Sequence, residues 1–117
     1  MRALQTEEWL NMWELGLAQR PTAWAVALLA AACPELGAEQ LAQMSIGQRD
    51  ARLLRLRQAL FGSQAACLTE CPQCGAPLEL AFDLDDIRAP SADDPMAPEA
   101  LPLGEWLVRF RLPNSLD

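Results

Sequence analysis

The motif that most constrains this chain is a pair of cysteines separated by two residues, Cys71-Pro-Gln-Cys74, with Gly75 directly after it. This spacing lets two thiolates hold one metal ion from a tight turn, and glycine accepts the positive φ that such a turn tends to require. A structural zinc site is tetrahedral and takes four ligands, so the motif supplies half of one. The chain must therefore place the pair at a turn, and the remaining ligands must come from elsewhere.

Two further cysteines bear on that question. Cys67 lies four residues before Cys71 and is a candidate third ligand if the chain between them curls toward the ion. Cys33 ends an apolar segment, where cysteine commonly behaves as a small buried hydrophobe. The competing interpretation is a turn that has kept its shape without a metal. A redox role is the weaker alternative, because thioredoxin-like pairs stand at a helix N-terminus and here a strand follows.

Composition excludes several classes of function. The 117 residues are 51% hydrophobic, enough for one ordinary domain, and they include sixteen acids, nine arginines and no histidine. Without histidine the usual general base is missing, and nothing resembles a nucleophile elbow or a phosphate-binding glycine loop, so we expect no enzyme. The net charge of −7 argues against general nucleic-acid binding, which depends on phosphate neutralisation.

We expect no signal for secretion or membrane insertion in this chain. Glu7 and Glu8 interrupt the N-terminus before any apolar run. The longest apolar stretch, Ala23–Cys33, is about half of the roughly 20 residues that span a bilayer. We therefore expect a protein made in the cytoplasm with no membrane partner, and in that reducing compartment four cysteines favour metal binding or free thiols over disulfides.

The first half of the chain predicts helices, and the second half predicts strands. Ser45 as N-cap and Gly62 at the C-terminal end delimit the clearest helix, which runs to Phe61. Three other helices are predicted. The first is capped by Thr6 and ends at Arg20, the second spans Thr22–Cys33, and a short one spans Glu35–Met44.

Alternation of apolar and polar residues predicts two strands, Leu78–Leu84 and Trp106–Leu112, which we expect to pair in one antiparallel sheet. Cys67–Glu70 is a short candidate strand. We expect one helical turn at Asp85–Ile87 and a proline-rich loop over Ala89–Pro102. The predicted fold class is α+β. A helical unit of three to four helices over residues 1–62 packs beside a small zinc-ribbon-like sheet over residues 63–117, within one compact domain.

Partner-binding residues are expected on two helices. Trp9 and Trp13 belong to a first helix that is apolar on most sides, which is either central in the fold or docked on another protein. Arg49 and Arg52 belong to a helix whose basic face suits an acidic partner, although a solvated face neutralised by Asp50 is the more common outcome. A zinc-ribbon nucleic-acid adaptor acting through the Arg49–Arg57 helix is the alternative function.

Several segments together resemble a known family. They are Gly47–Leu54, Leu56-Arg57, Leu60–Gly62, Cys71–Gly75, Phe82–Leu84 and Val108–Ser115. They are similar to small proteins encoded with contractile phage tails and related injection systems, which are named baseplate proteins or baseplate hub assembly chaperones. The similarity is good from Ser45 to Asp117 and loose over the N-terminal helices.

The resemblance implies a function and a metal site. Relatives carry a second CPxCG-like knuckle further on, so it implies a two-knuckle zinc ribbon whose first pair is Cys71 and Cys74 and whose second pair lies beyond Asp117. Residues 113–117 look like the opening of another helix, with Asn114 or Ser115 as cap, so we expect that the natural chain continues or that a partner covers this end. The implied role is non-enzymatic: a structural or chaperone-like assembly component of a baseplate, binding baseplate or tail proteins and entering the particle.

Overall fold

The computed structural model describes residues 1–88 and 99–117, which form five helices and two antiparallel two-stranded sheets. This arrangement confirms the predicted α+β class. The helices are α1 Thr6–Ala18, α2 Pro21–Ala32, α3 Ala38–Gln43, α4 Ile46–Phe61 and α5 Leu84–Ile87. The strands are β1 Gln64–Glu70, β2 Pro77–Asp83, β3 Glu99–Leu103 and β4 Trp106–Phe110.

Helix α4 begins and ends where its capping residues predict. The Ser45 hydroxyl accepts a hydrogen bond from the Gln48 N–H at 3.2 Å, and the Gln48 side chain accepts one from the Ser45 N–H at 3.1 Å. This reciprocal pair satisfies two backbone donors that the first turn would leave free. At the other end Gly62 has φ +83°, a conformation that a residue with a Cβ disfavours, so the helix ends there.

The other predicted helices shift by a few residues. Thr6 is the first residue of α1 rather than its cap, because Gln5 takes that position and its N–H donates to Glu8 at 2.7 Å. Pro21 opens α2, where its missing N–H costs no helical hydrogen bond. Helix α3 is shorter than predicted and starts at Ala38, since a turn closed by the Leu36 N–H and the Cys33 carbonyl occupies the preceding residues.

The helices hold most of the buried side chains. Leu29 and Leu41 are fully buried. The main core cluster contains Leu4, Ala32, Cys33 and Leu56, flanked by the half-buried Trp9, Met12, Leu28, Ala31, Leu36 and Leu60.

A tryptophan on α2 joins that helix to α1. The Trp24 indole N–H donates to the Met12 carbonyl at 2.7 Å. Gly16 leaves the room that the indole ring occupies, because a Cβ there would lie 3.0 Å from two ring atoms. The α1–α2 contact therefore combines apolar packing with one specific hydrogen bond.

The strands pair differently from the prediction. β1 pairs with β2, from Gln64 opposite Asp83 to Glu70 opposite Pro77, and β3 pairs with β4. The predicted pairing of the 78–84 and 106–112 strands is therefore wrong. The predicted loop is also wrong over residues 99–102, which belong to β3. Short turns close both hairpins locally, which costs less chain entropy than joining distant strands. The rest of the predicted loop, residues 89–98, lies outside the described residues.

Residues 113–117 fold back against the helices. The Ile46 N–H donates to the Pro113 carbonyl at 3.0 Å, and the Ser115 N–H donates to the Ala42 carbonyl at 3.1 Å. The Asn114 side chain accepts a hydrogen bond from the Leu116 N–H at 2.9 Å. Asn114 thus organises a turn, where the sequence had indicated the cap of a helix.

Candidate metal half-site and docking surfaces

The turn between β1 and β2 brings Cys71 and Cys74 together at the tip of a hairpin. The Cys71 N–H donates to the Ala76 carbonyl at 2.9 Å, and the Gly75 N–H donates to the Cys71 carbonyl at 2.8 Å. Gly75 has φ +70°, so the turn uses the conformational freedom that glycine provides. The two cysteines are thus held by a backbone that its own hydrogen bonds define.

The same turn favours a thiolate at Cys71. Hydrogen bonds from the backbone of Gln73, the backbone of Cys74 and the Cys74 thiol lower the pKa of Cys71 below its ordinary value. Donors aimed at a sulfur stabilise its negative charge, which is the form that binds metals. Cys71 is half-buried and Cys74 is exposed. The arrangement offers two adjacent thiols on the solvent side of the turn, a donor set that suits zinc.

The described residues do not complete this site. Within residues 1–88 and 99–117, no group of three histidine, cysteine or carboxylate side chains is placed to hold a metal ion. Cys67 lies opposite Leu80, three ladder positions before the end of β1. Cys67 is four residues from Cys71, about 13 Å along a strand, so within the described residues it does not join the pair as the candidate third ligand. Cys33 is buried in the helical core, where burial raises the pKa of its thiol.

The two tryptophans of α1 have different surroundings. Trp9 packs against the core cluster, whereas 67% of Trp13 is exposed. Leu10 and Leu17 are exposed to 61% and 76% and share the helix face of Trp13 through their spacing of three and four residues. We call Leu10, Trp13 and Leu17 the α1 face. Of the two predicted partner-binding tryptophans, Trp13 is accessible and Trp9 belongs mainly to the core.

Three arginines of α4, Arg49, Arg52 and Arg57, are half-buried and donate to this chain's own oxygen atoms. Arg49 donates to the Asp50 carboxylate at 2.8 Å and to the Ser115 hydroxyl at 3.2 Å. Arg52 donates to the Gln48 carbonyl at 3.3 Å, and Arg57 to the Gly62 carbonyl at 3.3 Å. Guanidinium groups used in this way have fewer donors left for phosphates. The placement gives no support to the nucleic-acid alternative, and it fits the interpretation in which Asp50 neutralises this face.

The β3–β4 hairpin carries a surface that sequence reasoning missed. Its register places Leu101 opposite Val108 and Leu103 opposite Trp106, so these side chains lie on one face. All residues of both strands are exposed, Trp106 to 73%. The alternating pattern had indicated a strand over Trp106–Leu112, and the face that carries its alternating apolar side chains is exposed. We call Leu101, Leu103, Trp106, Val108 and Phe110 the hairpin face.

The total surface of the chain is large for its mass. Its accessible area is 8618 Å², whereas a compact monomer of this mass exposes about 6,300 Å².

Comparison with known proteins identifies the family. The model of the T4 bacteriophage base plate protein family matches residues 19–117, which include α2 to α5 and all four strands. Because the match covers most of the chain, this protein belongs to that family. No curated protein and no solved structure matches it. The α1 face precedes the matched residues, whereas the cysteine pair and the hairpin face lie within them.

Membership gives the protein a structural role in a phage baseplate, a role exercised through contacts with other baseplate or tail proteins. The resemblance seen in the sequence is confirmed at this level. Among the described residues, none of the helices is both long enough and apolar enough to span a bilayer.

Proposed function

We propose that this chain is a structural or assembly component of a contractile-tail or injection-system baseplate, and that it docks partners mainly on the hairpin face. The observation that carries the proposal is a complete β-hairpin, within the family-matched residues, on which every side chain is exposed. A partner that covers this face would bury five apolar side chains together.

The hairpin face has the composition of an interaction hot spot. Isolated two-stranded hairpins are marginally stable in water, so β3 and β4 gain order from whatever covers them. Tryptophan is enriched among residues that dominate binding energy, and Trp106 stands at the turn end of the face. Both strands also have one unpaired edge, which is available to extend a partner's sheet.

The α1 face provides a second docking surface. Trp13, Leu10 and Leu17 present apolar side chains on one side of a helix, a geometry that suits a groove in another protein. It lies before the family-matched residues 19–117.

A chaperone-like action follows from the same surfaces. A protein that holds a baseplate subunit before assembly must cover apolar surface on that subunit and later release it. Exposed faces on a small protein serve this purpose. The proposal therefore covers both a permanent component and a temporary holder, and the composition of the finished particle separates the two.

Zinc is part of the proposal. Cys71 and Cys74 fit half of a structural zinc site, because the turn places two thiols together and donates hydrogen bonds to one of them. When bound, zinc would fix the tip of the β1–β2 hairpin, whose strands have only Ala65 buried. The ion would thus replace core packing that this hairpin lacks.

The decisive experiment is affinity co-purification from cells that express the baseplate and tail proteins of a contractile tail or injection system together with this chain. We expect baseplate or tail proteins to co-purify with the chain, and Trp106→Ala to weaken their capture by about 30-fold, the size of a hot-spot loss. Leu68→Ala is the matched control, because Leu68 is 80% exposed on the other hairpin.

Two results would contradict the proposal. One is a particle that assembles normally when the gene is deleted. The other is unchanged partner capture when both Trp106→Ala and Trp13→Ala are introduced. Mass spectrometry of purified particles then distinguishes a resident component from a chaperone, because only the former is retained.

A further inference from the structure

We propose that a baseplate partner adds an extended segment to the free edge of β4, and that this segment alternates apolar residues with at least one acidic residue. The inference rests on the proposed function, in which the β3–β4 hairpin docks partners, and it adds which edge is used and the chemistry of the occupant. The sheet has two strands, so each of them has one edge that no other strand of the described residues covers.

The turn of the hairpin determines which backbone groups face outward. A two-residue connection that begins with Gly104, whose φ is +60°, leaves Leu103 opposite Trp106. Glycine with positive φ at this first position is typical of a type II′ hairpin, in which the two residues beside the turn are hydrogen-bonded to each other. Such pairs alternate with non-hydrogen-bonded pairs along an antiparallel ladder. The backbone N–H and carbonyl groups of Leu107 and Arg109 therefore point away from β3.

The outer edge of β3 is a poorer template for another strand. Pro102 and Ala100 lie opposite Leu107 and Arg109, so their backbone groups face the outer edge of β3. Proline has no N–H, so within β3 this edge offers the Ala100 donor alone. Proline at such a position is one way in which edge strands avoid pairing with other chains. On β4 both outward residues have an N–H and a carbonyl, so that edge can form a complete ladder.

Arg109 gives the β4 edge its charge preference. Within residues 1–88 and 99–117, no carboxylate is in hydrogen-bond or ion-pair contact with Arg109. The guanidinium of Arg111, by contrast, donates to the Asp117 carboxylate at 2.7 and 2.6 Å. Opposite charges at facing positions of a sheet stabilise the pairing of two strands. An acidic residue opposite Arg109 would supply the partner that the described part of the chain does not.

The hairpin face sets the other half of the pattern. Trp106, Val108 and Phe110 alternate along β4 with Leu107 and Arg109, and they belong to the hairpin face. Residues of the added segment that lie beside these three side chains extend the same apolar surface, so they should be apolar too. In strand addition, main-chain hydrogen bonds give affinity and alternate side chains give specificity. The expected occupant is therefore an extended segment that is apolar on one face and acidic opposite Arg109.

The test is an NMR titration of the isotope-labelled full chain with blocked peptides of about eight residues, which is long enough for a strand. Valine and threonine alternate in these peptides, and one central threonine is replaced by glutamate or by lysine. We expect the glutamate peptide to bind about 5-fold more tightly than the lysine peptide, the size of effect that cross-strand charge pairs have. The Leu107 and Arg109 amide protons should shift most, because they gain hydrogen bonds, and the Ala100 amide should change little.

Three variants examine the edge itself. Leu107→Pro removes an outward N–H and leaves the hydrogen bonds to β3, so it should abolish peptide binding. Ala100→Pro is the matched control, because it removes the outward donor of the other edge and should leave binding unchanged. Arg109→Glu keeps the backbone of β4 and should invert the preference, so that the lysine peptide binds more tightly. This last variant keeps the test decisive if Leu107→Pro disrupts the hairpin.

Several results would overturn the inference. They are largest shifts at Ala100, equal affinities for the glutamate and lysine peptides, and no binding of either peptide at millimolar concentration. The last result would show that Arg109 protects the edge from other strands. Self-association of the free chain that Leu107→Pro abolishes would assign the edge to a second copy instead, which also overturns the inference.

Partner capture separates this inference from the proposed function. If Trp106→Ala weakens capture of baseplate or tail proteins and Leu107→Pro does not, partners dock on the hairpin face without adding a strand, and the proposed function stands alone. If both substitutions weaken capture and Ala100→Pro does not, both are supported. If neither substitution weakens capture, docking through this hairpin and strand addition to it both fail.

Discussion

The helical part and the two hairpins of this molecule are stabilised in different ways. Helices α1 to α4 surround buried side chains such as Leu29, Leu41 and Leu56, and the Trp24 indole hydrogen bond joins α2 to α1. Strands β1 to β4 contain one buried residue, Ala65. The helices thus contain the packing that a small domain needs, whereas the hairpins expose surface that other molecules are suited to cover.

This difference links stability to function. Burial of apolar area is the main favourable term in folding, so the helical part supplies most of the free energy of unfolding. The hairpins lie in the family-matched residues and carry both the cysteine pair and the hairpin face. We propose that partners in the baseplate dock on this surface.

The largest effect should come from the helical core. Leu29→Ala removes a fully buried side chain and should lower the free energy of unfolding by about 2–5 kcal/mol. Leu101→Ala, on the half-exposed hairpin face, should change the same quantity by less than about 0.5 kcal/mol. Denaturant unfolding followed by circular dichroism measures both. Equal losses of unfolding free energy in the two variants would contradict the difference between the helical part and the hairpins.

A smaller effect should come from the contact between α1 and α2. Gly16→Ala places a methyl group 3.0 Å from the Trp24 ring, which should cost about 1–3 kcal/mol of unfolding free energy. Gly47→Ala is the matched control on α4, because nothing lies within 4 Å of its added Cβ. That substitution should stabilise the protein by about 0.4–1 kcal/mol. A Gly16→Ala protein as stable as the wild type would show that the indole does not lock this contact.

The cap of α4 tests whether local signals define the helical part. Ser45→Ala removes the oxygen that accepts the Gln48 N–H and should lower the free energy of unfolding by about 1 kcal/mol. Ser45→Asn keeps an acceptor at this position and should retain most of the stability. If both variants unfold at the same denaturant concentration, the capping hydrogen bond is not responsible for the loss.

The smallest effect is a pH dependence at the start of α1. Hydrogen bonds from Arg2 and from the Gln5 N–H lower the pKa of Glu8 from 4.5 to about 2. A carboxylate whose pKa is lower in the folded state contributes stability that is present above the unfolded pKa. That contribution declines as the pH falls from about 4.5 toward 2. Glu8→Gln should therefore destabilise the protein near neutral pH and show a shallower decline across this interval in pH-dependent unfolding.

Local features of the fold were predictable from the sequence, and non-local ones were not. The Ser45 cap, the Gly62 terminus and the turn at Cys71–Gly75 each depend on residues close together in the chain. Whether β2 pairs with β1 or with a later strand depends on the lengths of the loops that join them. Alternation of apolar and polar residues does not show which pairing forms. Alternation in Trp106–Leu112 indicated a strand with one apolar face, but a single sequence does not reveal whether that face lies against the chain's own core or awaits another molecule.

The candidate site was predictable to a similar extent. The spacing of Cys71 and Cys74 was sufficient to infer a turn with two adjacent thiols. Cys67 lies away from the pair because β1 is a straight strand. The spacing of the cysteines in the sequence does not show whether the chain between Cys67 and Cys71 is straight or curls back. The separation of Trp9 from Trp13 depends on which side of α1 faces α2, and a helix that is apolar on most sides gives no signal of that orientation.

Amide hydrogen exchange, measured on the free chain and on the same chain in its baseplate assembly, tests the central claim most directly. We expect the amides of α2 and α4 to be protected in both states, and those of β3 and β4 to gain protection in the assembly alone, because a partner then covers the hairpin face. Strong protection of β3 and β4 in the free chain, or no gain on assembly, would contradict the account.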